Sequence, residues 1–303
     1  MCSIVGMLYK TDKRLDISMG QALSKMMEAT LHRGPDSAGW ALYKEPHEGE
    51  LRLRFFTARD EQGKKDVARI KKALDEQGAE LIEDEAIGCT YAVRVKYSGD
   101  IQQFSFAMKR AAEIVSLGTR LDIIKDVGQP AKLVPYYHIG DFDGTHGLAH
   151  LRLATESGVY PNTTHPFWAP GFADICAIHN GMITNYWISR RRLEREGMEF
   201  QSNNDTELIA VYLAYKMSQG VSLEDALKSS LDDFDGTFSY LVSTPNSIGF
   251  AKDKLASKPC VVYEDDDLIA ICSEEVGLNA LFPGKALDTT EMPPYTYGLW
   301  SLT

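Results

Sequence analysis

The chain opens with Met1-Cys2-Ser3-Ile4-Val5-Gly6, which places a cysteine directly after the initiator methionine. Removal of Met1 would leave Cys2 with a thiol and a free α-amine on one residue. The amine has an ordinary pKa of about 7.7 to 8.0 and the thiol one of about 8.5, so the amine can accept the thiol proton near neutral pH. The stretch indicates either a nucleophile that carries its own base or a small buried residue that opens an edge strand.

Composition and charge narrow the class of protein. The 303 residues are 44% hydrophobic and 25% charged, which predicts a soluble globular chain with an ample core. The net charge of −11 argues against nucleic acid or an anionic membrane as a partner, because phosphate binding requires clustered Lys and Arg. The basic run 190–192 fits the solvated face of a helix. No apolar run of about 18 residues occurs, and no basic segment leads into one, so we expect neither secretion nor membrane spanning.

The cysteines and the acidic turns indicate neither disulfides nor metal. The five cysteines are widely spread and form no C-x-x-C pair, so we expect no disulfide framework, no zinc site and a reducing compartment, the cytoplasm. Residues 140–144 and 232–236 are rich in Asp and Gly, but they lack the ligand pattern of a calcium loop and are interpreted as turns. No glycine-rich dinucleotide or phosphate motif occurs, so no cofactor is expected.

Hydrophobic periodicity predicts a mixed fold of helices and strands. Residues 2–9 alternate loosely as a strand, and apolar residues at helical spacing over 19–31 predict an amphipathic helix. Residues 237–300 are interpreted mostly as short strands. Many strands with a few helices between them favour helices packed on the outer faces of antiparallel sheets.

Residues 60–135 differ in character from the rest and predict a compact α+β insertion. Apolar spacing around Ile70 marks a Lys-rich helix, and residues 91–97 alternate as a strand. Apolar positions over 104–115 predict a second helix closed by Gly118. The segment holds no cluster of candidate catalytic residues, so we expect a structural or partner-docking role.

Five further stretches carry polar side chains that their local structure does not require. Residues 32–39, His-Arg-Gly-Pro-Asp-Ser-Ala-Gly, form a tight loop that is either a polar turn or the edge of a site, since a turn needs none of its His, Arg and Asp. The other four lie where predicted strands and helices begin or end. They are His150 to Thr155, His165-Pro166, His179 to Asn185 and Asn204 to Glu207.

Together with Cys2, Ile4 and Gly6, these stretches resemble in order and rough spacing the class II glutamine amidotransferases, a branch of the N-terminal nucleophile hydrolases. The resemblance spans about two thirds of the chain. One departure is Ser3, where the family usually places glycine, so backbone freedom beside Cys2 is reduced. The resemblance implies an α+β fold over 2–303, a four-layer α/β/β/α sandwich of two antiparallel sheets, with 60–135 as the insertion.

The resemblance also implies a chemistry. The family hydrolyses the side-chain amide of L-glutamine: the Cys2 thiolate attacks, the α-amine passes the proton to the departing ammonia, and water releases glutamate from a thioester. Asn180, through its side-chain amide, and Gly181, through its backbone N–H, match the family's oxyanion hole. An ordinary turn is the alternative for this pair.

Further residues match the family's pocket and its supports. Free glutamine carries a carboxylate and an ammonium, and Arg152 and Asp205 fit these two groups unless each is a solvent-facing residue at the end of an element. Thr155 and His165 match further walls of the pocket, with a structural histidine as the alternative for His165. Three residues match supporting positions: Arg33 and Asp36 for orienting the N-terminal strand, and Asn185 for the oxyanion loop.

The resemblance implies that the ammonia is used on another polypeptide. Most family members fuse this domain to a synthase, and no synthase module occurs within these 303 residues. Stand-alone subunits of this kind occur among relatives of glutamate synthase, including N-methylglutamate synthase, so we expect L-glutamine and synthase subunits as partners. Two alternatives stay open. One is a subunit that senses glutamine or structures a complex without turnover, and the other is a self-processed hydrolase of a different small amide.

Overall fold

The computed structural model describes residues 2–154 and 158–302, and within these ranges the chain forms sixteen strands and eight α-helices. The strands are β1 Ser3–Tyr9, β2 Ser37–Tyr43, β3 Glu50–Phe56, β4 Glu80–Ile87, β5 Thr90–Lys96, β6 Ile114–Gly118, β7 Leu121–Val127, β8 His146–Arg152, β9 Phe167–Trp168, β10 Cys176–Ile183, β11 Gly236–Thr244, β12 Ser247–Lys252, β13 Val261–Glu264, β14 Leu268–Cys272, β15 Thr289–Glu291 and β16 Thr296–Ser301. The helices are α1 Met19–Ala29, α2 Glu61–Glu76, α3 Ile101–Lys109, α4 Pro130–Tyr136, α5 Tyr186–Arg195, α6 Asp205–Ser218, α7 Leu223–Asp233 and α8 Glu275–Leu281.

The N-terminal strand β1 lies in the middle of the largest sheet. It pairs antiparallel with β14 along one edge and with β8 along the other, in the strand order β15-β13-β14-β1-β8-β2-β7. All of its residues are buried. The alternative of an edge strand is therefore wrong, because both edges of β1 are paired.

Side-chain alternation along β1 builds a core on each of its faces. Ile4 and Leu8 belong to the core between the large sheet and a second antiparallel sheet of order β16-β12-β11-β10-β9. Val5, Met7 and Tyr9 point the other way and pack with α1 and α8. Each such apolar side chain, fully buried, contributes about 1.5 to 3 kcal/mol relative to exposure.

The second sheet is covered on its outer face by three helices. Residues of α5, α6 and α7 form one core with β10 and β11. In α6, four successive apolar residues, Leu208–Val211, are all buried, as expected of a helix enclosed by the sheet and its neighbouring helices. The order of layers is helix, sheet, sheet, helix, which confirms the predicted α+β sandwich of two antiparallel sheets.

Three strands of the 60–135 segment, β4, β5 and β6, belong to a third antiparallel sheet. Its strand order is β4-β5-β3-β6, and with α2 and α3 it shares the core that lies between the two larger sheets. Its strand β3 precedes the segment, and β7, within the segment, joins the large sheet. Insertion boundaries at 60 and 135 stay a prediction, since elements of the segment serve two sheets.

The helix predicted over 104–115 and closed by Gly118 is wrong in its second half. The helix α3 ends at Lys109, and Ile114–Gly118 form the strand β6. All five residues of β6 are buried, and the strand pairs with β3, about sixty positions earlier in the chain. Tertiary pairing of this kind overrides a spacing that fits a helix locally.

Three features of the described residues concern membrane spanning, metal binding and disulfides. No helix among them is long and apolar enough to cross a bilayer. No group of three or more His, Cys, Asp or Glu in the same ranges is placed to hold a metal ion. The five cysteines all lie within the described ranges, and their thiols are free.

Candidate active site

Cys2 lies directly before β1 and is contacted from both large sheets. Its carbonyl oxygen accepts hydrogen bonds from Arg33 Nε at 2.9 Å and from the side-chain amide of Asn180 at 3.1 Å. The backbone N–H of Leu153 donates to the sulfur at 3.4 Å, and the side chain is partly exposed. The thiol is thus held at a defined place and remains accessible.

Ser3, which stands where the family usually has glycine, is accommodated without special backbone geometry. It is part of β1 and pairs with Leu151, so its backbone is extended, a conformation that any residue adopts. Its buried hydroxyl donates to Thr30 Oγ1 at 3.0 Å. The departure therefore adds a hydrogen bond beside Cys2 and requires no positive φ angle.

Asn180 points from β10 into the space between the two large sheets. Its Nδ2 donates to the Cys2 carbonyl and also to Ser273 Oγ, at 3.2 Å. The same hydroxyl accepts from the backbone N–H of Ile4 at 2.9 Å, so Ser273 fixes both β1 and the amide. On its other side, Asn180 Oδ1 lies 3.1 Å from His150 Nε2. Every polar atom of this amide is therefore engaged.

Gly181, the next residue on β10, occupies a position that excludes a side chain. Its φ is +132°, in the region that L residues rarely adopt. A Cβ at this position would lie 1.9 Å from the carbonyl oxygen of Thr237 on β11. Only glycine fits here, and its exposed backbone can face a small substrate.

Three histidines form a buried cluster beneath Asn180. The rings of His150 and His165 stack with centroids 4.1 Å apart, and the backbone N–H of His179 donates to His165 Nδ1 at 3.3 Å. Burial lowers the pKa of His150 to about 3, although its bond to Asn180 works in the opposite direction. Burial is the main reason why the pKa of His165 lies well below its ordinary value, and repulsion by a charged His150 is the second. Neither ring is charged at neutral pH.

Arg152, predicted to bind the α-carboxylate, ends β8 and is buried. Its Nη1 donates to Thr163 Oγ1 at 3.2 Å and lies 3.4 Å from the carbonyl oxygen of Gly158. These contacts hold the guanidinium against the loop that follows β8. Thr155, predicted as a neighbouring pocket residue, lies outside the described residues.

Asp205, predicted to bind the α-amine, is the first residue of α6. Its Oδ2 accepts from the backbone N–H of Ile183 at 3.0 Å, and its Oδ1 lies 3.5 Å from His179 Nδ1. Burial alone would raise the pKa of Asp205, but the facing His179 ring and the Ile183 N–H outweigh it and hold the pKa below its ordinary value. A carboxylate that stays ionised and 24% exposed suits the binding of an ammonium group.

The supporting residues hold three different segments. Arg33 contacts the N-terminal residue directly, and its Nη1 lies 2.5 Å from Glu274 Oε1. Asp36 Oδ2 accepts from the backbone N–H of Ala154 at 2.8 Å, so Asp36 holds the segment after β8 and makes no such bond to β1. Asn185 donates to the carbonyl oxygen of Asp233 at 2.9 Å, which joins the turn after β10 to the end of α7.

The structure thus brings the predicted residues together in part. Arg33 and Asn180 each donate to the Cys2 carbonyl, and His165 and Asp205 both contact His179. Asn185 bonds instead to Asp233 at the end of α7. Four contributors were not assigned from the sequence: His150, Ser273, Glu274 and Thr206, whose Oγ1 lies 3.4 Å from His179 Nδ1. His150 and Thr206 lie inside quoted stretches, where their polar side chains could have been noticed. Ser273 and Glu274 follow β14, and only the pairing of β14 with β1 reveals them.

Comparison with known proteins places the chain in a family. A family model described as a glutamine amidotransferase domain matches residues 150–280. A putative glutamine amidotransferase of Methanothermobacter thermautotrophicus is 37% identical, with 98% of each chain covered. The glutamine amidotransferase-like protein GlxB of Rhizobium meliloti is 36% identical, covering 99% of this chain and 98% of that protein.

Two solved structures share the fold. One, titled as the allosteric regulatory enzyme of purine biosynthesis, has a TM-score of 0.63 at 18% identity, over 99% of this chain and 47% of the other. The glutamine phosphoribosylpyrophosphate amidotransferase from B. subtilis has a TM-score of 0.58 at 16% identity, over 100% of this chain and 49% of the other. The chain spans about half of each of these structures. The two sequence relatives, matched over nearly their whole length, show that the chain belongs to the glutamine amidotransferases.

Proposed function

We propose that this chain hydrolyses L-glutamine through Cys2, once Met1 is removed, and passes the ammonia to a synthase on another polypeptide. Hydrolysis of glutamine and supply of ammonia are the activity of the family to which the chain belongs. The nucleophile, the partner and a cytoplasmic location are our proposals.

The chemistry would proceed in two balanced steps. The α-amine of Cys2 takes the thiol proton, the sulfur attacks the side-chain amide carbon, and the carbon–nitrogen bond breaks as the ammonium group returns a proton to the leaving nitrogen. Water then attacks the thioester, giving one proton to the amine, and the carbon–sulfur bond breaks to release glutamate and the thiol. In both steps an oxyanion develops, which Asn180 Nδ2 and the Gly181 N–H would stabilise.

The substrate would be held by its charged head group. We assign the α-carboxylate to Arg152 and the α-ammonium to Asp205, whose lowered pKa keeps it ionised. Thr155 and His165 are proposed as further walls of the pocket. Two groups of opposite charge discriminate an amino acid from an uncharged amide, which disfavours a different small amide as substrate.

The contact between Asn180 and Cys2 is the observation that carries the proposal. The amide that would stabilise the oxyanion lies 3.1 Å from the carbonyl of the residue that would carry the nucleophile. These two residues are 178 positions apart in the chain. An amide donor held beside an accessible thiol is what attack on a carbonyl requires.

The test begins with the intact mass of the purified protein. We expect Met1 to be absent and glutamine to yield glutamate and ammonia in equal amounts. Cys2→Ala should abolish this activity, whereas Cys89→Ala, which alters a buried thiol elsewhere, should retain it. Active protein that keeps Met1, or an active Cys2→Ala variant, would contradict the proposal.

A non-catalytic, glutamine-sensing subunit is the second candidate, and one observation favours it. Both hydrogens of the Asn180 amide are already bonded, to Cys2 and to Ser273. One of these bonds must be shared or exchanged before the amide can serve an oxyanion. Calorimetry that detects saturable glutamine binding, together with no ammonia release in the presence of the native partner, would support this second candidate.

The partner is proposed from the resemblance to stand-alone subunits. We assign it to a synthase related to glutamate synthase, with N-methylglutamate synthase as the specific candidate. Purification of the native complex and identification of its other chains by mass spectrometry tests this assignment. A complex without any amine-accepting synthase would contradict it and would leave the glutaminase proposal intact.

A further inference from the structure

We propose that His150 is a positioning residue, which fixes the orientation of the Asn180 amide and thereby aims its N–H groups at the Cys2 site. This inference rests on the proposed function, because it concerns the donor that the function requires. It follows from the hydrogen-bonding capacity of the neighbouring groups, taken one at a time.

The Cys2 carbonyl decides which end of the Asn180 amide faces it. A carbonyl oxygen can only accept, so the group 3.1 Å from it must be the NH₂ end. The amide oxygen then faces His150 Nε2 at 3.1 Å. Because that oxygen can only accept, His150 Nε2 must carry a hydrogen and donate it.

The other nitrogen of the His150 ring agrees with this assignment. His150 Nδ1 is buried and has no partner within hydrogen-bond geometry among the described residues, although the backbone of His179 lies close enough to the ring to raise its pKa. A neutral ring with its hydrogen on Nε2 leaves only a lone pair at this position, whereas the other tautomer would bury an unpaired N–H. That other tautomer would also set a lone pair against the Asn180 oxygen. Both effects favour the neutral ring that carries its hydrogen on Nε2.

The ring is held in place by its surroundings. His150 is fully buried on β8 and stacks on His165 with a centroid distance of 4.1 Å. Burial lowers the pKa of His150 to about 3, so the ring stays neutral over the range in which a Cys2 amine and thiol would work. A fixed, neutral donor keeps the amide from rotating into the arrangement that points its oxygen toward Cys2.

His146 supplies a matched control on the same strand. It lies four residues before His150, on the same face of β8, and is also fully buried. Its Nε2 is 2.7 Å from the carbonyl oxygen of Thr244, and its ring stacks on Tyr43 with a centroid distance of 4.2 Å. It is buried and stacked like His150, but its ring nitrogens bond Thr145 and Thr244 and not Asn180.

The experiment compares His150→Phe, His150→Gln and His146→Phe in steady-state glutamine hydrolysis. Phenylalanine can keep the stacking on His165 but has no donor, and glutamine restores an N–H. For His150→Phe we expect kcat to fall by about 10- to 100-fold with little change in KM, since loss of an oxyanion donor itself costs about 10²- to 10³-fold. His150→Gln should recover much of this loss. His146→Phe should lower thermal stability and keep kcat.

Two outcomes would overturn the inference. One is a His150→Phe enzyme whose kcat matches that of His146→Phe at equal stability, which would assign His150 to packing alone. The other is a folded His150→Gln enzyme no more active than His150→Phe.

A spectroscopic readout separates this inference from the proposed function. In ¹⁵N-histidine-labelled protein, with the His150 signals assigned from their loss in His150→Gln, we expect a neutral ring protonated at Nε2 at pH 7. A ring protonated at Nδ1 would refute the positioning role. Wild-type protein without glutaminase activity would contradict the proposed function, and the tautomer would still be measured.

Discussion

Arg33 Nε donates a hydrogen bond of 2.9 Å to the main-chain carbonyl of Cys2, while Nη1 of the same guanidinium pairs with Glu274. The side chain is 4% exposed and joins the first residues of the chain to the segment that follows β14. Its planar fork reaches two acceptors in different directions, which a lysine ammonium on a flexible stem could not hold in the same geometry.

Replacing Arg33 should therefore affect both activity and stability. For Arg33→Gln we expect a lower kcat and a free energy of unfolding reduced by about 1 to 3 kcal/mol, the range for losing a hydrogen bond that involves a charged group. Glutaminase assays and urea unfolding measure the two effects. Arg191→Gln, on the exposed side of α5, is the control and should change neither. Full activity in Arg33→Gln would remove Arg33 from the support of Cys2.

Asp205 should determine glutamine affinity through its charge. Asp205→Asn keeps an oxygen for the Ile183 N–H but loses the negative charge that we assign to the α-ammonium. We expect KM to rise by about 10- to 100-fold, corresponding to the about 1.5 to 3 kcal/mol of a hydrogen bond to a charged group. Asp225→Asn, in the first turn of α7, should leave KM unchanged. An unaltered KM in Asp205→Asn would place the ammonium elsewhere.

Gly181 should tolerate no side chain. In Gly181→Ala the Cβ would meet the Thr237 carbonyl, so β10 and β11 must separate locally and the backbone N–H of residue 181 must move. We expect kcat to fall by about 10²-fold or more, with lower thermal stability. Gly220→Ala is the control, because Gly220 also has a positive φ, +82°, but no atom within 4 Å of the added Cβ. Equal losses in the two variants would assign the effect to backbone strain alone.

Stability should fall between pH 7 and pH 5 because several histidines are buried in neutral form. Burial lowers the pKa of His146 to about 4 and that of His150 to about 3, with His165 also lowered. Below about pH 6.5 the unfolded chain binds protons that the folded chain does not, so acid favours unfolding. Burial raises the pKa values of Glu113 and Glu207. Above about pH 4.5 the folded chain therefore binds protons at these carboxyls that the unfolded chain does not, so acid favours folding at these two groups.

The contribution of His146 can be isolated by urea unfolding at the two pH values. Wild type should lose about 1 to 2 kcal/mol more than His146→Gln on going from pH 7 to pH 5, since glutamine does not titrate. The comparison between variants cancels the contributions of the other groups. An identical pH dependence in the two proteins would mean that His146 has the same pKa in the folded and unfolded states, and would contradict the burial-lowered pKa.

Hydrophobic periodicity in the sequence predicted the helices and strands whose apolar residues lie close together in the chain. The helix expected over 19–31 is present as α1, Met19–Ala29, because its apolar stripe and its Ser18 cap lie within a few turns. The strand expected over 91–97 is β5, Thr90–Lys96. The strand β4, Glu80–Ile87, was not predicted, since its alternation is mostly charged and it lies on the exposed edge of the third sheet. Such a strand is stabilised by pairing and carries little hydrophobic signal.

The candidate site likewise contains residues that sequence motifs identify and residues that only the fold identifies. Cys2 could be singled out from its position, and Asn180 and Asp205 from the motifs around them. Ser273 could not, because a lone serine after a strand has no distinguishing neighbours, and its bonds to Ile4 and Asn180 arise only when β14 pairs with β1. Local chemistry identifies the groups that could react with substrate, whereas the groups that hold them come from distant parts of the chain.

The position of β1 between β8 and β14 has a consequence for synthesis in the cell. The strand emerges from the ribosome long before one of its two partners, Leu268–Cys272. The first strand must wait unpaired along that edge, an apolar segment exposed to the chaperones that bind nascent chains. A chain that terminates before β14 would carry the Cys2 thiol on an incomplete sheet, so ribosomal stalling ahead of β14 should yield protein without the proposed glutaminase activity.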